Sequence, residues 1–238
     1  MIPRFYIPEV LPHTDEVLLP PGAAHHALKV LRLGLGDSVV LFDGSGGERS
    51  ARLDIHGKNA VAVGGQWQDV NRESPLETVL VQALAGSDKM DWAIQKAVEL
   101  GVSGIIPVQA ARSVLRLSDE RAHKKRAHWQ QIVISACEQC GRNRLPFVAP
   151  VQTLGAYLEQ PTQATRLILA PGGERIQEVQ PLAPIHLLVG PEGGWSEEEE
   201  ALCQRAGIRA VGLGPRILRT ETAGLAVLAA LQTICGDF

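Results

Sequence analysis

The chain has 238 residues, 45% of them hydrophobic and 21% charged, which excludes a disordered, collagenous or fibrous protein. At roughly 150 residues per domain it makes either one large domain or two unequal ones. The net charge of -3 argues against a protein that coats nucleic acid along its whole length, and the longest apolar run, 223–231, is broken by Gly224 and too short for a membrane span.

The opening residues, Met1-Ile-Pro-Arg-Phe-Tyr6, show neither a charged start leading into an apolar stretch nor an Arg/Ser-rich presequence. The expectation is a cytoplasmic protein. Short strands are predicted over 4–7, 38–42, 51–55 and 60–63, punctuated by Asp43-Gly-Ser-Gly-Gly47 and His56-Gly-Lys-Asn59. Closely spaced strands with tight turns suggest a small barrel. A helix is predicted over 23–33, where His25, His26, Lys29 and Arg32 share one or two faces. Such a face suits either plain solvation or phosphate binding. Residues 68–75 are polar, end in Pro75 and read as a linker, giving a first domain over 1–72 and a second over 73–238.

Beyond the linker the pattern changes to strands alternating with helices. Strands are predicted over 78–83, 104–108, 166–170, 185–189 and 209–211, and helices over 88–100, 119–139, 196–206 and 220–234. This order points to an α/β domain with a mostly parallel sheet covered on both faces. Residues 112–144 hold eight Lys/Arg against three Asp/Glu, so a basic block lies in an otherwise acidic chain. Of the four cysteines, Cys137 and Cys140 form a C-x-x-C, but no second close pair completes a tetrahedral zinc site, and no metal is expected.

Three glycine-bearing turns follow predicted strands: Ala170-Pro-Gly-Gly-Glu174, Gly190-Pro-Glu-Gly-Gly194 and Gly212-Leu-Gly-Pro215. Ligands of α/β sheets bind outside the carboxyl ends of the strands, where glycine permits close backbone approach. None of the turns matches a dinucleotide or P-loop motif, none carries lysine, and two carry glutamate, so the expected ligand is neutral or cationic. Ser196-Glu-Glu-Glu199 reads as a capping box. Arg216-Ile-Leu-Arg-Thr-Glu-Thr-Ala223 puts two arginines, a glutamate and two hydroxyls at the start of the last helix, more than capping requires, although Thr220 alone could be a cap.

These residues carry a resemblance. Arg4-Phe5, His25-His26 with Leu31-Arg32, Gln95-Lys-Ala-Val-Glu-Leu-Gly101, Glu138-Gln139 with Gly141-Arg142, Gly190-Pro-Glu-Gly-Gly194 and Leu213-Gly-Pro-Arg-Ile-Leu-Arg-Thr-Glu-Thr-Ala223 span nearly the whole chain in order. Together they resemble the bacterial 16S rRNA uracil-N3 methyltransferases of the SPOUT superfamily, with Cys140 standing where serine is expected. The resemblance implies a PUA-like RNA-binding barrel and a homodimeric α/β domain ending in a trefoil knot. It implies S-adenosyl-L-methionine as cofactor and 16S rRNA or the small ribosomal subunit as partner.

By the same resemblance the cofactor lies against Leu169, Ala170 and Gly172 of the first turn and Val189, Gly190, Pro191, Glu192 and Gly193 of the second. At the third it meets Leu213, Gly214, Ile217 and Leu218, followed by Thr220, Thr222 and Ala223. Arg219 and Arg142 are candidates for stabilising the uridine N3 anion. Glu138 and Glu221 are either proton acceptors or ion-pair partners of those arginines. RNA phosphates are expected at Arg4, His25, His26, Lys29 and Arg32, and at Arg112, Lys124, Lys125 and Arg144 of the basic block. The alternatives are another SPOUT activity, 2'-O-ribose methylation, or a noncatalytic RNA-binding assembly factor.

Overall fold

In a computed structural model that describes residues 2–11, 14–179 and 182–238, the chain divides into two compact units. One is Met1–Glu73 with Ile134–Leu145, the other Ser74–Val133 with Pro146–Phe238. Residues 134–145 fall in the predicted second domain, yet their contacts are made with the first unit.

The N-terminal unit is built on a sheet of six strands: β1 (Arg4–Tyr6), β2 (Glu16–Leu18), β3 (Ser38–Phe42), β4 (Glu48–His56), β5 (Asn59–Val63) and β6 (Trp67–Gln68). Their order is β1-β3-β4-β5-β2, with β6 also paired to β4, and only β1–β3 is parallel. Alternation puts Val39, Leu41, Ala51, Leu53, Ala60 and Ala62 in one core with Phe5, Val17 and Leu19. The predicted helix over 23–33 is a short α1 (Pro21–His25), opened by proline in its first turn, that widens into a π-helical turn over His26–Val30. It stops short because Arg32 turns into the left-handed region at φ 55°.

The C-terminal unit carries seven strands, all parallel: β7 (Thr78–Ala83), β8 (Gly104–Gln109), β9 (Phe147–Val148), β10 (Gln152–Thr153), β11 (Thr165–Arg175), β12 (Ile185–Val189) and β13 (Arg209–Gly212). The order is β10-β8-β7-β12-β11-β13, with β9 also on β8. Every residue of β7 is buried, as a central parallel strand covered on both faces requires. The helices are α2 (Ser87–Glu99), the part of α3 (Asp119–Cys140) up to Val133, α4 (Leu154–Glu159), α5 (Glu197–Arg205) and α6 (Thr220–Cys235). Leu154 and Tyr157 of α4 and Cys203 of α5 pack with Val79, Val81 and Ile106. The opposite face meets α6, whose Gly224 lies against Val189 and Leu80, and α6 packs in turn on α2. Much of the apolar α6 is therefore core, with Leu225, Val227, Leu228 and Leu231 buried.

Candidate active site

The middle of β11 and the ends of β12 and β13 surround a cavity of about 530 Å³ in the C-terminal unit. Leu169, Ala170 and Pro171 line it from β11, and Val189, Gly190, Pro191, Glu192, Gly194 and Trp195 from β12 and its loop. Val211 to Gly214 line it from β13, followed by Arg216 to Thr220 and Ala223 from the approach to α6.

The first glycine segment does not leave the sheet. Leu169 pairs with Val211, and so does Glu174, so residues 170–173 form a bulge held at both ends by one residue of β13. Gly172 sits at φ 78°, and a Cβ on Gly173 would come within 2.7 Å of the Val211 backbone. Only glycine fits that approach.

The second segment is fixed by side chains from elsewhere in the same unit. Thr220 Oγ1 donates to the Gly190 carbonyl (2.6 Å) and accepts from Gln82 Nε2 (2.9 Å). The hydroxyl therefore joins the start of α6 to β7 and the end of β12, and it does not cap the helix; the N-cap position is Arg219. Glu192 accepts from the Gly86 N–H (3.0 Å) and Lys89 Nζ (3.1 Å). Burial works against its charge, but these donors prevail and hold the carboxyl below its usual range. Arg112 Nη1 donates to the carbonyls of Gly193 (3.1 Å) and Trp195 (3.0 Å). The Ser196 box forms as expected from the sequence: Ser196 Oγ accepts from Glu199 N–H (3.2 Å), and Glu199 Oε2 accepts from Ser196 N–H (2.9 Å). Glu199 Oε1 additionally accepts from Ala111 N–H (2.8 Å), a tie the local pattern did not foretell.

Of the fifteen residues the resemblance places at the cofactor, Gly172, Gly193 and Thr222 lie outside the cavity lining and the other twelve are in it. Gly193 packs against Arg112, and the Thr222 N–H donates to the Arg219 carbonyl in the first turn of α6. Arg219 lines the cavity and is exposed. Arg142 and Glu138 belong to the N-terminal unit and are not in the lining. There Arg142 is buried and donates twice to Glu73 Oε2, from Nε (3.0 Å) and from Nη2. Glu138 Oε1 accepts from the Tyr6 N–H (3.0 Å), and burial pushes its carboxyl above the usual range despite that bond. Lys89, Arg112, Trp195, Glu200 and Arg216 also line the cavity. Arg216 belongs to the motif that opens the last helix, whereas Lys89, Arg112, Trp195 and Glu200 were not expected there because they come from α2, from loops and from α5, where no local motif points to the cavity.

The residues expected at RNA divide by exposure. His25, Lys29 and Arg32 are exposed on the α1 segment, while the His26 ring stands edge-on to Phe5. Arg4 is only 7% exposed in its side chain, pairs with Glu48 (2.7 Å) and lies over the Phe42 ring. Lys124 pairs with Glu120 one turn away, and Lys125 donates to Ser87 Oγ. Arg144 is exposed. Cys137 is a buried thiol whose pKa is pushed up to about 12 by burial, and neither it nor Cys140 is in a disulfide. Among the described residues no cluster of His, Cys, Asp and Glu is placed to hold a metal, and no helix is long and apolar enough to cross a membrane.

A parallel sheet with a glycine-bearing cavity at its strand ends defines an α/β ligand-binding protein. Residues 72–232 match the RNA methyltransferase domain family, and 19–63 match the RNA methyltransferase PUA domain. The ribosomal RNA small subunit methyltransferase E of Bacillus subtilis is 37% identical over 87% of this chain and 86% of its own. The crystal structure of the Neisseria gonorrhoeae protein of that name, bound to S-adenosyl methionine, is 45% identical with a TM-score of 0.94 over 100% of both chains. A Legionella pneumophila methyltransferase structure, in complex with bound SAM, is 36% identical with a TM-score of 0.95 over 100% of both chains. The chain belongs to the ribosomal RNA small subunit methyltransferase E family, within the SPOUT superfamily.

Proposed function

We propose that this protein transfers a methyl group from S-adenosylmethionine to N3 of a specific uridine in 16S rRNA, as a homodimer in the cytoplasm. The observation that carries the reading is the cavity itself. Its walls are apolar at Leu169, Val189, Val211, Leu213 and Leu218, glycine brings backbone close on two sides, and its charged groups are Glu192 and Glu200 with Lys89, Arg112, Arg216 and Arg219. That surface suits an adenosine, and two of its four cations are already engaged, Lys89 by Glu192 and Arg112 by the Gly193 and Trp195 carbonyls. S-adenosylmethionine, when bound, supplies an electrophilic methyl group on a sulfonium. The Neisseria and Legionella structures, solved with this molecule, support the assignment.

The chain's own residues then do three things. The pinned bulge at 170–173 and the Thr220 bridge keep the walls in place, so positioning is built in before anything binds. Glu192, kept ionised by Gly86 and Lys89, places negative charge beside a cationic ligand. Arg219 sets a fixed positive charge at the cavity where the uracil ring must enter. Uridine N3 carries a proton and is a poor nucleophile, so that proton must pass to solvent water as the methyl group is taken up, and a cation beside the ring lowers the cost of the anion. The trefoil knot belongs to the same reading, supported by β13 lying at the sheet edge while α6 returns to β7 and β12.

The test is mass spectrometry of small-subunit rRNA from a deletion strain, before and after treatment with purified protein and S-adenosylmethionine. One new methyl group on N3 of one uridine is expected. Methylation on a ribose 2'-oxygen, or none, would sink the assignment. Sedimentation of the same preparation is expected at twice the chain mass, and a monomer at micromolar concentration rejects the dimer.

A further inference from the structure

A second cleft, of about 200 Å³, lies within the N-terminal unit. Its floor is Gly46 and Gly47, both at positive φ, and its walls come from Asp69 to Glu73 and from Asn143 and Arg144. The walls are held firmly. Asn143 is 2% exposed and donates to the Val70 carbonyl (2.9 Å), Asn71 Oδ1 accepts from the Glu73 N–H (3.0 Å), and Arg72 is clamped on Glu48 (2.7 and 3.1 Å).

The chemistry presented is mixed and planar. Asp69 and the Asn71 amide are exposed, so an acceptor and a donor stand close together in sequence at the rim. Glu73 Oε2 receives Arg142, whereas its Oε1 is buried with no hydrogen-bond partner. The flat guanidinium of Arg144 lies over Gly46, about 3.1 Å from where a Cβ would stand, and the half-exposed Trp67 ring lies against Gly47 in the same way at 2.5 Å. Side chains at either glycine would displace these flat groups. A cleft of this size is smaller than the usual whole-ligand pocket of roughly 300–1,000 Å³. Trp67 backs Gly47 from outside the lining, so the cleft offers a donor and an acceptor at its rim with the flat Arg144 guanidinium, which match a base edge and a base face, the features by which proteins read unpaired RNA.

We propose that this cleft binds one unpaired nucleotide of the RNA substrate and contributes to the choice of target. The inference rests on the RNA methyltransferase reading, and binding is therefore measured separately from methyl transfer. Full-length Asp69→Asn and Asn71→Ala proteins are compared with the parent for retention of small ribosomal subunits from a deletion strain, at one salt concentration and without S-adenosylmethionine. Each variant is expected to bind about tenfold more weakly, the loss of one hydrogen bond to a base, with an unchanged unfolding midpoint for Asp69→Asn and a slightly lowered one for Asn71→Ala, which also loses the Glu73 N–H bond. Arg144→Lys, which keeps the charge and loses the flat fork, is expected to fall with them. Affinities of Asp69→Asn and Asn71→Ala within twofold of the parent overturn the proposal, and so does a lysine variant at parental affinity, which marks a phosphate contact instead. Weakened binding in a protein that adds no methyl group leaves the cleft standing and removes the methyl-transfer reading.

Discussion

Replacing Arg219 by alanine is expected to lower kcat by roughly two to three orders of magnitude, with RNA and S-adenosylmethionine both saturating. The residue sits at the N-cap of α6, with its carbonyl engaged by the N–H groups of Thr222 (2.9 Å) and Ala223 (2.8 Å), so its backbone is fixed. Its side chain is exposed at the cavity. Removal therefore takes away charge at the site and little of the core. A cation beside the uracil stabilises the N3 anion, so its loss raises the pH at which that anion forms. The variant's rate should consequently keep climbing with pH after the parent's has levelled. Arg219→Lys should recover part of the rate, because the charge returns without the fork. Near-parental kcat in Arg219→Ala, or a pH profile of unchanged shape, removes the assigned role.

The largest effect on stability is expected at Glu48. Its side chain is 9% exposed and receives Arg4 (2.7 Å) and Arg72 (2.7 and 3.1 Å), while Arg4 also donates to Asn143. The Arg72 bond holds the Glu48 carboxyl down at about 2, against the opposing effect of burial and with further help from Arg4. Glu48→Gln keeps the shape but leaves two guanidinium groups facing a neutral amide. A loss of about 3 kcal/mol is expected at pH 7, the scale both of breaking a buried pair and of a depression of this size. The sign follows from the lowered value. The stabilisation is fully present above the ordinary carboxylate range and fades as the pH falls toward about 2. Urea unfolding from neutral to acid pH should show the gap between the two proteins closing over that interval. Equal midpoints at neutral pH would show that the arginines do not depend on this carboxylate.

Several elements were legible in the sequence for a physical reason. β7 and β12 each hold three apolar residues in succession, Val79–Val81 and Leu187–Val189, the mark of a parallel strand buried on both faces. The Ser196 capping box is equally local, because all its partners lie within four residues. Three-residue β2 and two-residue β6, β9 and β10 escaped, being shorter than any period can show. So did α4, six residues long with Gly155 inside. The bulge at 170–173 depends on Val211 some forty positions later. Composition marked the basic block, but Arg112 on the Gly193 and Trp195 carbonyls, and Arg142 on Glu73, are pairings between distant segments. A positive residue in a sequence shows only that charge exists. Its partner is decided by packing.

The N-terminal unit also has a history written into its connectivity. Its polar centre needs Asn143 to receive Arg4 and Glu73 to receive Arg142, yet Ile134–Leu145 is separated from Glu73 by β7, α2, β8 and most of α3. A chain growing from its amino end cannot complete that centre when the last strand of the first sheet appears. It must wait until α3 has been made, so maturation of the first unit is tied to synthesis of the second, and a nascent fragment stopping at residue 73 carries Arg4 without Asn143.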